Sequence, residues 1–293
     1  MPYAKARDGT HLYYKDWGKG APVVLMHGWP LTGDTFDSTA LALAENGCRA
    51  IIPDRRGFGR SDQPWDGYDY DTLSDDVAAI LNHAEITEKV ALVGFSMGGG
   101  EVARFLSRQG AQRVSKAVLI SSVVPYVLQT DDNPDGVPQS TLDDMTTAMK
   151  KDRAHFLKGF FKDFFGAGVM SSPVSDEVLD DAQRQALMAG LRPTLAAAKS
   201  FATTDFRPDL KSFTVPTLVI HGTADVTVPI DATARVVAAQ VPGAQLIEYD
   251  GSAHGLFAIE KERLNNDLVE FLTGHTTEQG ADQRSAIPMT QQT

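Results

Sequence analysis

Short apolar runs rich in Val, Ile and Leu recur along the chain at 23–26, 50–52, 90–93, 117–120, 218–220 and 246–249, the last interrupted by Glu248. A strand with water on one face alternates apolar and polar residues. These runs do not alternate, so each predicts a strand covered on both faces, as in a parallel sheet packed between helices. Between the runs the apolar period lengthens to that of a helix. Over 72–83, Leu73, Val77, Ile80 and Leu81 fall on one side, and a second helix is predicted over 100–108. Strand then helix, repeated, predicts a doubly wound, mostly parallel α/β sheet. The opening differs: residues 3–17 alternate around Asp8-Gly9, which predicts an antiparallel hairpin at the sheet edge.

The strand rhythm stops between 123 and 213. That stretch holds a turn cluster, Asn133-Pro134-Asp135-Gly136, and then helix-like segments carrying Phe156, Phe160, Phe161, Phe164 and Phe165. It predicts a helical cap insertion lying over the strand ends, which divides the chain into a core of 1–122 and 214–274 and a cap of 123–213. Aromatics at helical spacing chiefly fill a core, and five together leave one or two to line a pocket. Residues 275–293 are polar and aperiodic and read as a flexible tail.

Composition narrows the class. With 293 residues, 42% apolar and 22% charged, the chain reads as a globular enzyme with ample core. A net charge of −11 without a Lys/Arg cluster disfavours nucleic acid as a partner. Cys48 is the sole cysteine, which excludes an intrachain disulfide and a thiolate metal cluster. The start, Met1-Pro2-Tyr3-Ala4-Lys5, lacks the apolar stretch of a signal peptide. No apolar run approaches the roughly 20 residues a membrane helix needs, so no membrane partner and a cytoplasmic location are expected. A homo-oligomer is left open.

The candidate chemistry centres on Gly94-Phe95-Ser96-Met97-Gly98. The apolar run 90–93 precedes it and a helical pattern follows it. A sharp strand-to-helix turn of this kind lifts a serine hydroxyl to the open end of a sheet. The hydroxyl needs a base to take its proton, and a histidine oriented by a carboxylate supplies one. Acid and base are expected downstream in that order. Asp225 follows the strand ending at 220, in His221-Gly222-Thr223-Ala224-Asp225, and His254 follows the strand ending at 249. The other candidates fit less well. His27 and His221 directly end strands and read as packing or loop-shaping residues, and Asp250 is too close to His254 to orient it. Ser121 and Ser122 occupy the site after strand 117–120 where some hydrolases carry their acid. His11, His83, His155 and His275 lie in no motif. An oxyanion needs two N–H donors. Met97, next after the serine, is one candidate, and Trp29 of His27-Gly28-Trp29-Pro30 is the other, because Pro30 has no N–H.

These motifs, together with Asp54-Arg55-Arg56-Gly57-Phe58-Gly59-Arg60-Ser61, Thr204-Asp205-Phe206-Arg207-Pro208-Asp209 and Val219-Ile220-His221-Gly222, resemble the α/β-hydrolase superfamily. More closely they resemble its bacterial cofactor-free haloperoxidases, perhydrolases and aryl esterases, over about residues 2–272. The resemblance implies the α/β-hydrolase fold and a serine hydrolase of small aryl or short-chain alkyl esters, with no cofactor and no metal. Its acyl-enzyme would be intercepted by water, or by peroxide to give a peracid. By the same likeness Ser96, Asp225 and His254 are catalytic and Trp29 and Met97 form the oxyanion hole. Pocket candidates are Trp29, Pro30, Tyr126, Phe160, Phe164 and Val228. Some relatives open lactones or γ-lactams. Hydroxynitrile lyases share the triad, and a non-catalytic ligand-binding hydrolase fold is a further alternative. Dehalogenases and epoxide hydrolases are disfavoured, because they place an aspartate where Ser96 stands.

Overall fold

The computed structural model describes residues 3–168 and 171–275. The polar end from 276 onward, expected to be a flexible tail, lies outside the described residues. Eight strands form one sheet: β1 (Tyr3–Lys5), β2 (His11–Gly18), β3 (Ala21–Met26), β4 (Cys48–Pro53), β5 (Val90–Phe95), β6 (Val114–Ile120), β7 (Thr217–Gly222) and β8 (Gln245–Tyr249). Their order is β1-β2-β4-β3-β5-β6-β7-β8. The first two strands pair antiparallel, and β2 pairs antiparallel with β4. Every other pairing is parallel. The hairpin and the six runs therefore form strands where the apolar pattern put them, but β8 closes the far edge of the sheet and is only half-buried, so the run at 246–249 is not covered on both faces as expected.

Alternation inside each run divides the core in two. Val23, Leu25, Ala50, Ile52, Val93, Ile120 and Ile220 face one side, which is covered by α1 (Asp37–Glu45) and α9 (Lys261–Thr273) through Ala40, Leu43, Leu264 and Leu268. Val24, Met26, Ile51, Leu92, Leu119 and Val219 face the other, covered by α2 (Tyr70–His83) and α3 (Met97–Phe105). The four residues predicted to form the buried stripe of α2 are each at most 4% exposed. Unbroken apolar runs thus arise because both sheet faces are dry.

Between β6 and β7 lie α4 (Gln139–Phe165), α5 (Asp176–Met188) and α6 (Leu191–Thr203). The first of these breaks at Asp152 (φ −156°, ψ 89°), and the Asp152 carboxylate accepts from the His155 N–H at 3.0 Å, which starts the second half of the helix. Two shorter helices, α7 (Ala234–Gln240) and α8 (Leu256–Ile259), follow β7 and β8. No helix among the described residues is long and apolar enough to cross a membrane.

Parallel register decides where the loops meet. Met26 lies opposite Gly94, Phe95 opposite Ile120, Ile120 opposite Ile220 and Gly222 opposite Tyr249. The segments that follow β3, β5, β6, β7 and β8 consequently gather at one end of the sheet.

Candidate active site

Ser96 joins β5 to α3 with φ 52° and ψ −118°, in a region that costs a non-glycine residue about 1–3 kcal/mol. Neighbouring bonds hold it there: its N–H donates to the Ile120 carbonyl at 2.8 Å and its own carbonyl accepts from Gly99 at 3.0 Å. The motif glycines answer a steric need. A Cβ on Gly94 would overlap the Gly98 carbonyl, and one on Gly98 would overlap the Met26 carbonyl. Met97 opens α3, so its N–H has no acceptor within the helix and points outward at the positive end of the helix dipole.

The Ser96 hydroxyl lies 3.0 Å from His254 Nε2, and His254 Nδ1 lies 2.6 Å from Asp225 Oδ2. A carboxylate facing Nδ1 puts the ring proton there and leaves the Nε2 lone pair to accept from the serine. The ring is buried between Phe164 and Phe95, at centroid distances of 4.7 and 5.1 Å. Main-chain ties fix its loop: the Gly255 N–H donates to the Phe164 carbonyl at 2.9 Å, and the Ser121 hydroxyl donates to the His254 carbonyl at 3.2 Å.

Asp225 is buried, and its second oxygen accepts from the N–H groups of Thr227 and Val228, both at 2.9 Å. Burial alone would push its carboxyl upward, but His254 and His221 outweigh that and hold it well below the usual carboxylate range. It is an ionised hydrogen-bond acceptor at neutral pH.

Ser96 opens onto a cavity of about 460 Å³ walled chiefly by apolar side chains, among them Val127, Leu142, Phe156 and Phe201. Of the expected pocket residues, Trp29, Phe160 and Val228 line it. Three do not. Tyr126 turns away, because its ring stacks under the Arg207 guanidinium at 5.0 Å. Phe164 is fully buried against His254, and Pro30, next to Trp29 in the same loop, is buried and does not line the cavity. The Trp29 indole N–H donates to the Thr194 carbonyl at 3.0 Å, and its ring meets Phe160 and Phe201. His155, which no motif singled out, lines the mouth together with Asp163.

A family model described as alpha/beta hydrolase fold matches residues 21–260. A non-heme chloroperoxidase of Kitasatospora aureofaciens is 42% identical, over 93% of this chain and 99% of its own. A bifunctional esterase/perhydrolase of Acinetobacter calcoaceticus is 39% identical, over 93% and 99%. The crystal structure of a bromoperoxidase from Bacillus anthracis superposes with a TM-score of 0.89 at 41% identity, covering 92% of this chain and 99% of that one. The chain belongs to the α/β-hydrolase family.

Within this α/β hydrolase, two further groups support the site. His221 is fully buried, with Nε2 3.1 Å from Asp225 Oδ2 and 3.0 Å from the Val228 carbonyl. Both neighbours accept, so Nε2 carries the proton and ties the acid to its own loop. The sequence offered only its position at a strand end, four residues before an aspartate. Under the Trp29 loop, Arg55 pairs with Glu101 through bonds of 2.7 and 2.9 Å and donates to the His27 carbonyl at 2.5 Å. The His27 ring accepts from the Arg55 N–H at 3.0 Å and donates from Nδ1 to the Gly28 carbonyl at 2.9 Å. Buried opposite charges at a strand end and on the helix after the serine were the available signal for this brace.

Proposed function

We propose that the protein is a serine hydrolase of small carboxylic esters that works through an acyl-enzyme, with hydrogen peroxide as an alternative acceptor to water. The observation that carries this reading is the unbroken line Ser96 Oγ, His254 Nε2, His254 Nδ1, Asp225 Oδ2 opening onto an apolar cavity. His254 takes the Ser96 proton as the hydroxyl oxygen attacks the ester carbonyl. Charge gathering on the carbonyl oxygen is met by the N–H groups of Met97 and Trp29 and by the start of α3. His254 then protonates the leaving alcohol. Water, deprotonated by the same imidazole, releases the acid, while peroxide attacking the same acyl carbon releases a peracid. No step calls for a cofactor.

Acceptance of peroxide is supported by relatives named as chloroperoxidase and esterase/perhydrolase. The shortage of cationic side chains on the cavity wall fits a neutral acyl group. A fluorophosphonate should label Ser96, as read by peptide mass, and Ser96→Ala should lower p-nitrophenyl acetate hydrolysis by several powers of ten with the fold retained. Labelling at another residue, or near-normal turnover by the variant, would sink the assignment. Peracid formation is tested separately, by adding peroxide and following oxidation of a halide indicator.

A further inference from the structure

Most of the described glycines answer to one of two local needs. Many adopt positive φ, as Gly57, Gly59 and Gly110 do. Others, such as Gly28, Gly94, Gly98 and Gly222, sit so close to a neighbour that a Cβ would strike it. Gly159 has neither reason. Among the described glycines it alone combines an ordinary φ with no atom within 4 Å of where its Cβ would be. It also lies inside α4, where glycine weakens a helix relative to alanine. Fold geometry therefore does not require a glycine here, and helix stability opposes it.

What Gly159 does have is a place on the wall of the Ser96 cavity. His155 and Asp163 lie one turn before and one turn after it on the same helix face, and both line the cavity with it. Phe156 and Phe160 form the adjoining wall. The same cavity is bounded by Val226 and Thr227, in the loop that begins at Asp225, and Val226 is 72% exposed. Residues 155, 159 and 163 are exposed too, so this stretch of α4 borders the opening to solvent rather than the floor. A side chain at 159 would project from α4 into that opening.

We infer that Gly159 is a specificity-determining residue: the missing side chain sets the width of the entrance and admits esters too bulky to pass a filled position. The inference rests on the proposal that this cavity receives the ester. It makes Gly159 neither a catalytic nor a positioning residue, since it touches no member of the Ser96, His254 and Asp225 line.

The test compares vinyl acetate with 2-naphthyl octanoate, each followed by acid release, in the wild type and in Gly159→Ala, Gly159→Leu and Gly159→Phe. Gly159→Ala should raise Tm by about 2–4 °C through the helix alone. Gly159→Leu and Gly159→Phe should keep vinyl acetate kcat/KM within about twofold and lower that for 2-naphthyl octanoate by about tenfold or more, with the larger loss for Phe. Equal losses on both esters in a variant of undiminished Tm, or no loss on either, overturn the inference. Those results are distinct from failure of the proposed function, in which the wild type would turn over neither ester and Ser96 would take no fluorophosphonate.

Discussion

The strand-end loops and the helices above them are built on different physics. In the loops, polar side chains meet in directed pairs: Asp225 accepts from two N–H groups and lies against two imidazoles, and the Arg55–Glu101 pair braces the Trp29 loop from beneath. The helices touch the site mainly through rings. Phe160 meets Trp29, Phe156, Phe161 and Phe164 at centroid distances of 5.4–5.9 Å. Directed bonds in a dry region fix atoms to a fraction of an ångström, whereas aromatic packing is set by volume and tolerates rearrangement. Changes in the loops should therefore cost chemistry or fold, and changes in the helices should alter which substrates are accepted.

The largest effect expected is in the loops. Asp225→Asn keeps the shape but removes the charge that holds His254 in its tautomer, so kcat on p-nitrophenyl acetate should fall by about 10⁴-fold with KM little changed. A loss below tenfold would break the distinction at its strongest point.

Glu101→Ala comes next. It leaves Arg55 buried without its carboxylate, at a cost of about 3–5 kcal/mol in urea unfolding. Replacing both partners, as Arg55→Leu with Glu101→Leu, should recover part of that loss, because no uncompensated charge remains. If the double variant were the less stable, the pair would be holding more than itself.

A smaller effect follows from acid. Burial, and then the nearby Arg55 charge, hold His27 well below its ordinary value, so it stays neutral in the fold. The unfolded chain binds a proton there near pH 6.5 that the fold refuses, so stability drops as pH falls below that value. Between pH 6.5 and 5 one refused proton can cost at most about 2 kcal/mol. Asp225 has the depressed value of a stabilised carboxylate, so its contribution is intact above about pH 4 and is lost only at lower pH. Urea midpoints at pH 7 and 5 should separate His27→Gln, with the shallower slope, from the wild type.

The smallest effect expected is in the helices. Phe160 is half-buried on the cavity wall, so Phe160→Ala should shift relative kcat/KM toward bulky acyl groups by about tenfold while acetate turnover changes little. An acetate loss approaching that of Asp225→Asn would erase the difference between the two regions.

Much of the scaffold was readable in one dimension. The apolar runs place the central strands and the alternating opening places the edge hairpin. Gly94 and Gly98 mark a turn that only residues without a Cβ allow. Positions of Asp225 and His254 were readable as strand-end loops, because in a parallel sheet the loops that follow the strands gather at one end. Other features were not. His155 looked motif-free and lines the cavity, Tyr126 looked placed for it and stacks on Arg207 instead, and His221 gave no sign that its Nε2 would reach Asp225.

The dividing line is the range of the cause. Backbone periodicity, turn chemistry and the order of serine, acid and base are local or follow from chain direction, so the sequence by itself determined the doubly wound sheet and the neighbourhood of Ser96. Cavity shape depends on which side chains meet after the sheet register is set and α4 is laid over the strand ends, where packing decides among rotamers that local sequence leaves equal. Only the tertiary structure could turn five phenylalanines into two that line a cavity and three that fill a core, and show that Gly159 has no local reason to be a glycine.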